Sequence, residues 1–390
     1  MRMLYILFSI VIMAAVANVV VYRFLLGNLP YFAGLFKIAG IVVFILSVAF
    51  LTVFALGTSN IHSLKWGFYL LLLFSLPQVI FIVYWLVFVL PVYKFPQLQK
   101  AGMFLGVALL VVFFLLILHG ALIGRTKIIT NNVTVTSARL PEEFDGFRIL
   151  QFSDLHAGSF SDKPEFIGEL VQKINELKPD MVVFTGDIVN NKSSELDAYL
   201  AELEKIQAPY GVYSILGNHD YGDYIIWNSS EDKKDNLERL VRIQEQIGWQ
   251  VLNDRSVYIT KGQDRIVLIG VQNWGEPPFR TYGDLNKAYK DVDKNLFAVL
   301  LSHNPSHWRM EVLPETSIDL MLAGHTHAMQ MKIAGFSPIA LRYKEWSGLY
   351  NEGRRYLYVN EGIGSVFVPM RVGAYPELTV IELKTEKAKP

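Results

Sequence analysis

Apolar positions follow two different rules in the two parts of this chain. Four continuous apolar runs come first: Leu4 to Tyr22, Leu35 to Leu56, Trp66 to Val92 and Met103 to Ile123. Each is long enough to cross a hydrocarbon core of about 30 Å as a helix, so the pattern predicts four transmembrane helices. Pro77 falls inside the third run, where neighbours or water can satisfy the carbonyl it frees; this predicts a kink and not a break. From Phe147 onward short apolar runs alternate with amphipathic stretches. Strand-like runs are Phe147 to Phe152, Met181 to Phe184, Val212 to Leu216, Arg265 to Val271, Leu296 to Leu301 and Ile318 to Leu322, with later ones at Tyr356 to Val359 and Leu378 to Leu383. Helical stretches are Pro164 to Leu177, capped by Ser161 or Asp162, then Glu195 to Ile206, and Asn236 to Ile247 stopped by Gly248. The alternation predicts an α/β domain with helices covering the sheet faces.

Charge sharpens this division. The chain carries 36 basic and 36 acidic residues, yet positions 1 to 141 contain no Asp or Glu and nine Lys or Arg, which leaves the remainder at a net charge of minus nine. The acidic part is long enough for one sizeable core, while the apolar part belongs in a different solvent. Excess positive charge lies only between apolar runs, which excludes a nucleic-acid-binding surface. The absence of cysteine removes disulfides, thiolate catalysis and Cys-ligated zinc.

An even number of crossings returns the chain to the side on which it starts. Arg2, Lys65, Arg125 and Lys127 would share that side, and Arg139 tips the Lys and Arg count towards a cytoplasmic domain. Arg2 ahead of the first run and Ala15-Val16-Ala17 behind it have the look of a signal peptide, but the run exceeds a signal core and reads as an anchor. His119, near the end of the fourth run, reads as interfacial and not as part of a transport path.

Polar residues carry the functional information. Five strand-like runs end in metal-ligand residue types: Asp154-Leu155-His156, Gly186-Asp187, Gly217-Asn218-His219-Asp220, Ser302-His303-Asn304-Pro305 and Gly324-His325-Thr326-His327. Ligands bind outside the carboxyl ends of strands in open α/β sheets, so the five clusters should converge on one rim. Five of the eight histidines lie in them; His62 and His307 read as solvated or capping residues. Carboxylates, imidazoles and an amide oxygen without thiolates suit Mn, Fe or Zn. Seven candidates, Asp154, His156, Asp187, Asn218, His303, His325 and His327, exceed the needs of one zinc and fit two divalent metal ions if one carboxylate bridges. Two ions held about 3.5 to 4 Å apart clamp the attacking and leaving oxygens of an in-line displacement at phosphorus. Hydrolysis of a phosphate ester is the natural reading.

This ordered set resembles the calcineurin-like metallophosphoesterases over about residues 144 to 383. The resemblance implies a four-layer α/β/β/α sandwich behind the four-helix membrane region, with 125 to 143 as linker and 384 to 390 as a polar tail. It implies that Asp154, His156 and His327 hold one ion, that Asn218, His303 and His325 hold the other, and that Asp187 bridges. His219 would be general acid, with Asp220 orienting its ring, and a hydroxide shared by the ions would attack phosphorus. Leu216-Gly217-Asn218-His219-Asp220, Gly348-Leu349-Tyr350, Tyr358-Val359-Asn360 and Pro376-Glu377-Leu378 are most similar to the membrane-attached bacterial branch. That branch contains phosphodiesterases and pyrophosphohydrolases of UDP-diacylglucosamine, which implies an inner-membrane location, a lipid bilayer partner and a lipid-linked substrate. Where the branch continues its last motif with two glycines and a glutamine, this chain has Ala328-Met329-Gln330. A membrane sensor or scaffold that binds a phosphorylated ligand without turnover is the alternative; the intact ligand set favours an enzyme. Trp274 to Phe279 and the aromatic stretch Phe336 to Tyr350 read mainly as packing, with an apolar wall or a surface dipping into the bilayer as the functional alternative.

Overall fold

The computed structural model describes residues 2–28, 33–34, 37–38, 40–42, 44–45, 48, 61–277 and 280–386. It divides into two units, one formed by the chain up to Ile123 with Phe367–Met370, the other by Gly124–Val366 with the chain from Arg371 onward.

Among the described residues, three long helices can be followed in the first unit, α1 (Arg2–Asn28), α2 (Ile61–Tyr84) and α3 (Pro96–Leu122). Helix α2 runs through Pro77 and changes pitch only afterwards, widening into a π-helical turn at Trp85–Val89 and then tightening into a 3-10 turn at Leu90–Val92. Large apolar side chains such as Phe88, Leu109 and Leu122 are exposed on these segments, as expected for helices that are apolar all round. Among the described residues, Leu72–Val92 and Pro96–Thr126 are long and apolar enough to cross a membrane, and the apolar part of α1, Ile12–Gly27, is shorter. Most of the second expected span, Leu35 to Leu56, lies outside the described residues. The Asn18 amide on α1 donates to Gln78 Oε1 on α2, a polar contact between two apolar segments.

The second unit is built on two six-stranded sheets. The first has the order β1-β12-β2-β3-β4-β5, from β1 (Ile129–Ser137), β2 (Arg148–Phe152), β3 (Met181–Phe184), β4 (Val212–Ser214), β5 (Gln250–Val251) and β12 (Glu377–Thr385). The second has the order β10-β11-β9-β8-β7-β6, from β6 (Arg255–Lys261), β7 (Asp264–Gly270), β8 (Ala298–Leu301), β9 (Leu320–Ala323), β10 (Gly348–Glu352) and β11 (Arg355–Val359). Strands β2 to β5 are parallel, as are β7, β8, β9 and β11.

The period of two residues explains why the central strands read as unbroken apolar runs. In β3, Met181 and Val183 enter the core between the sheets while Val182 and Phe184 enter the core beneath the helices; β8 divides Val299 and Leu301 from Ala298 and Leu300 in the same way. The inter-sheet core gathers Ile149, Ile215, Leu268, Leu320 and Leu322. The outer face of the first sheet is covered by α4 (Glu165–Glu176) and α5 (Ser230–Gln246), and that of the second by the short helices Leu285–Tyr289 and Trp308–Val312. The result is the layered sandwich that the resemblance implies.

Three expectations need correction. Residues 125–143 are not a linker: they contain the nine-residue strand β1, paired in parallel along its length with β12. The stretch Glu195 to Ile206 is a 3-10 turn at Ser193–Leu196 and one helical turn at Leu200–Leu203, because the Glu195 carboxylate is committed to the N–H groups of Gly158, Asn190, Asn191 and Lys192. Helix α5 starts six residues earlier than its apolar periodicity shows. Ser229 Oγ accepts the Asp232 N–H at 3.0 Å and Glu231 and Asp232 occupy the first turn, so capping and the helix dipole extend it through a polar segment.

Candidate metal centre

Every cluster does fall at the carboxyl end of a strand, and the two parallel sets bring those ends together. Asp154 and His156 follow β2, Asp187 follows β3, Asn218 follows β4, His303 follows β8, and His325 and His327 follow β9. Five of these seven residues have left-handed backbone: Asp154 (φ +51°), His156 (+43°), Asp187 (+61°), His325 (+74°) and His327 (+52°). Such conformations cost of order 1–3 kcal/mol each and persist only where the surroundings impose them. The glycines ahead of the ligands serve the same crowding: a Cβ on Gly217 would collide with the Asp187 carboxylate, and one on Gly324 with Ser153 and the Asp154 carboxylate.

The side chains converge accordingly. His327 Nε2 lies 3.1 Å from both Asp154 Oδ1 and His156 Nε2. His303 Nε2 lies 3.2 Å from Asp187 Oδ2 and 3.3 Å from His325 Nδ1. His156 Nε2 is 3.7 Å from Asp187 Oδ2, which joins the two groups. Asp154 with His156 and His327, and Asp154 with Asp187 and His303, each bring their ligand atoms within 4.8 Å of one another. A third such group is His156 with Asp187 and His219.

This set fits metal ions for a reason visible in the protein itself. Asp154 Oδ1, a buried acceptor without a hydrogen bond, lies among imidazole nitrogens that face one another, and Asn218 Oδ1 is likewise buried without a hydrogen bond. Buried polar atoms are otherwise almost always paired, and lone pairs aimed at a common point are stable when a cation occupies it. Neighbouring groups orient four of the candidate ligands. Asn218 Nδ2 donates to Tyr224 Oη at 2.8 Å, which turns its Oδ1 inward. His303 Nδ1–H donates to the Thr185 carbonyl at 2.8 Å and presents Nε2. His325 Nε2 meets Tyr343 Oη at 3.0 Å, leaving Nδ1 towards His303. His327 Nδ1 lies 3.1 Å from the fully buried Arg371 guanidinium. Partners of this kind set ligand orientation and affinity.

Electrostatics separate the ligands. Burial opposes charge on Asp154 and Asp187, but the surrounding imidazoles, His327 and His303 foremost, hold both carboxyls well below the usual range. Burial and His219 depress His156, and burial and His303 lower His325 to about 3, so both are neutral as ligation requires. Burial works against a charged His303, but Asp187 outweighs it and raises the ring to about 10.

The expected role of Asp220 is overturned. His219 Nδ1–H donates to the Asn190 carbonyl at 2.8 Å, and its ring packs edge-on to His156 and against Tyr224. The Asp220 carboxylate instead accepts the backbone N–H groups of Asp187, Ile188, Val189 and Gly217 at 2.8–3.3 Å. It clamps the β3 turn onto the β4 turn from beneath, and burial and the Asp187 charge push its carboxyl up to about 8. Asp220→Ala should strand those four N–H groups and destabilise this unit by about 3 kcal/mol or more; thermal unfolding of the purified protein measures it, and a change within about 0.5 kcal/mol would remove the clamp role.

Sequence reasoning missed Tyr224, Tyr343, Arg371 and Asn190, of which only Tyr343 lay in a stretch singled out for its aromatics. His307 is not solvated: it is buried between Ser302 Oγ (2.8 Å) and Glu311 Oε2 (3.0 Å), stacked on Trp274, and it braces the segment that carries His303. At the departure from the family pattern, Ala328 (φ +47°), Met329 (+52°) and Gln330 (+55°) all occupy the left-handed region that glycine adopts freely. Ala328 is buried and the Met329 side chain is exposed.

Comparison with known proteins follows the same geometry. Residues 147–329 match the calcineurin-like phosphoesterase family. An uncharacterized metallophosphoesterase of Bacillus subtilis, YkuE, is 34% identical over 267 residues, covering 66% of this chain and 85% of that protein. The UDP-2,3-diacylglucosamine pyrophosphatase LpxG of Chlamydia muridarum is 27% identical, with 62% and 86% covered. A transmembrane protein with metallophosphoesterase domain from Danio rerio is 28% identical, with 65% of this chain and 56% of that protein covered.

Proposed function

The chain belongs to the calcineurin-like phosphoesterases and is a metal-dependent phosphoesterase, and within that family we propose that it is a membrane-anchored hydrolase of a phosphodiester or pyrophosphate carried on a lipid. The observation that supports the catalytic part is the convergence of Asp154, His156, Asp187, His303, His325 and His327 from four strand ends, with buried acceptors left over, among them Asn218 Oδ1 after a fifth. Asp154, His156 and His327 would hold one divalent ion, Asn218, His303 and His325 the second, and Asp187 both. Such ions, when bound, supply a nucleophile at neutral pH and neutralise charge on the phosphoryl oxygens.

The rest falls to the protein. His219, held by Asn190 at Nδ1, gives a proton to the departing oxygen from its other nitrogen. The Thr185 carbonyl and Tyr343 hold His303 and His325 in register, and the Asp220 clamp keeps Asp187 and Asn218 facing each other across adjacent turns. The lipid part rests on the two membrane-length helices and on the activity named for the Chlamydia relative.

Full-length protein in detergent, loaded with Mn, Fe or Zn, should cleave a nucleotide-linked lipid pyrophosphate in mixed micelles with a KM roughly tenfold or more below that for its water-soluble headgroup analogue. Equal KM values would remove the lipid specificity and leave a phosphoesterase of water-soluble substrates.

A further inference from the structure

Immediately after the last ligand the chain makes an apolar protrusion that neither core nor catalysis explains. Ile333 and Phe336 exchange both backbone hydrogen bonds, at 2.9 and 3.0 Å, across the two-residue turn Ala334-Gly335, whose φ values of +50° and +82° define a tight hairpin. A pair bonded in this way sets its two side chains side by side, yet Ile333 is 42% and Phe336 56% exposed. Met329 precedes the hairpin and Leu341, 86% exposed, follows it at the end of a 3-10 turn.

This segment is held firmly at its base. Lys332 N–H donates to the Val372 carbonyl, Val372 N–H to the Gln330 carbonyl, and Ser337 Oγ to the Ala328 carbonyl, at 2.6–2.9 Å. Four large apolar side chains within thirteen residues, two of them on a fixed hairpin, form a surface that a water-facing domain does not ordinarily display.

We infer that the 329–341 segment, through Ile333, Phe336 and Leu341, enters the interfacial layer of a lipid bilayer beside the metal rim. Charge permits that occupant: between Asp319 and Glu345 there is no acidic residue, Lys332 and Arg342 are paired with Glu361 and Glu276, and Lys344 lies next to the segment, so the segment itself carries no carboxylate to repel anionic headgroups. Chain connectivity supplies the bilayer. Only six residues separate the end of α3 at Leu122 from the start of β1 at Ile129, a reach of about 20 Å at most. An apolar wedge two residues from His327 would let a substrate's phosphate reach the metal ligands while its acyl chains stay in lipid.

The absence of cysteine makes the test direct. Phe336→Cys, Leu341→Cys, Leu109→Cys and Glu238→Cys each give the full chain a single thiol for a nitroxide label, read in nanodiscs by oxygen against nickel-chelate accessibility. Leu109 lies on α3 and Glu238 is exposed on α5. Positions 336 and 341 should show an oxygen-to-nickel ratio severalfold above position 238, as position 109 does. Water-like ratios at 336 and 341 with a lipid-like ratio at 109 would overturn the inference, and so would protection from both agents, which signals a protein partner. The inference rests on the membrane-anchored reading, and a water-like ratio at 109 would overturn that reading itself. No arm depends on turnover.

Discussion

Asp187→Ala should lower phosphodiester turnover roughly a thousandfold, a loss of about 4 kcal/mol of transition-state stabilisation. Its Oδ2 lies 3.2 Å from His303 Nε2 and 3.7 Å from His156 Nε2, one ligand from each half of the site, and its Oδ1 accepts the His219 N–H at 2.7 Å. Asp154 also belongs to both groups, but among the described residues Asp187 is the one that in addition holds the backbone N–H of the residue assigned to protonate the leaving group. Steady-state hydrolysis of a chromogenic diester measures the effect; a loss below about tenfold would remove Asp187 from the bridging role.

His219→Ala should cost about 10²–10⁴-fold in turnover on a substrate with a poor leaving group and much less on an aryl ester that departs without a proton. Its metal content should stay that of the unmodified protein, because the side chain is anchored by the Asn190 carbonyl while His303 and His325 keep their own partners. An equal loss on both substrates, or loss of metal, would instead make His219 a ligand, a role its proximity to His156 and Asp187 allows.

What could be read in the sequence follows from where information is local. Strand β3 matched its predicted range, Met181 to Phe184, because it is buried on both faces and every residue is apolar. Strands β1, β6 and β10 were missed because they are half-exposed and rich in Thr, Asn, Lys or Glu. Strand β1 is also fixed by pairing with β12, almost 250 residues away, which no local pattern records.

The clustering of candidate ligands was legible because several imidazoles and carboxylates recur at strand ends in a chain with few histidines, and a rare residue type at a predictable place is a signal. Asp220 was misassigned because adjacency to His219 in the chain says nothing of side-chain direction; the tight turn sends it inward to the backbone. Tyr224, Tyr343 and Arg371 arrive from segments 6, 18 and 44 residues beyond the ligands they touch, and phenol or guanidinium in a loop has no distinctive signature. Their roles exist only once the fold has formed.

The dinuclear assignment is tested most directly by counting metal bound per chain, by elemental mass spectrometry, in the full-length protein and in Asp187→Ala after reconstitution with excess Mn. Two equivalents in the unmodified protein and one or fewer in the variant are expected. A single equivalent in both, with the variant's turnover unchanged, would contradict it.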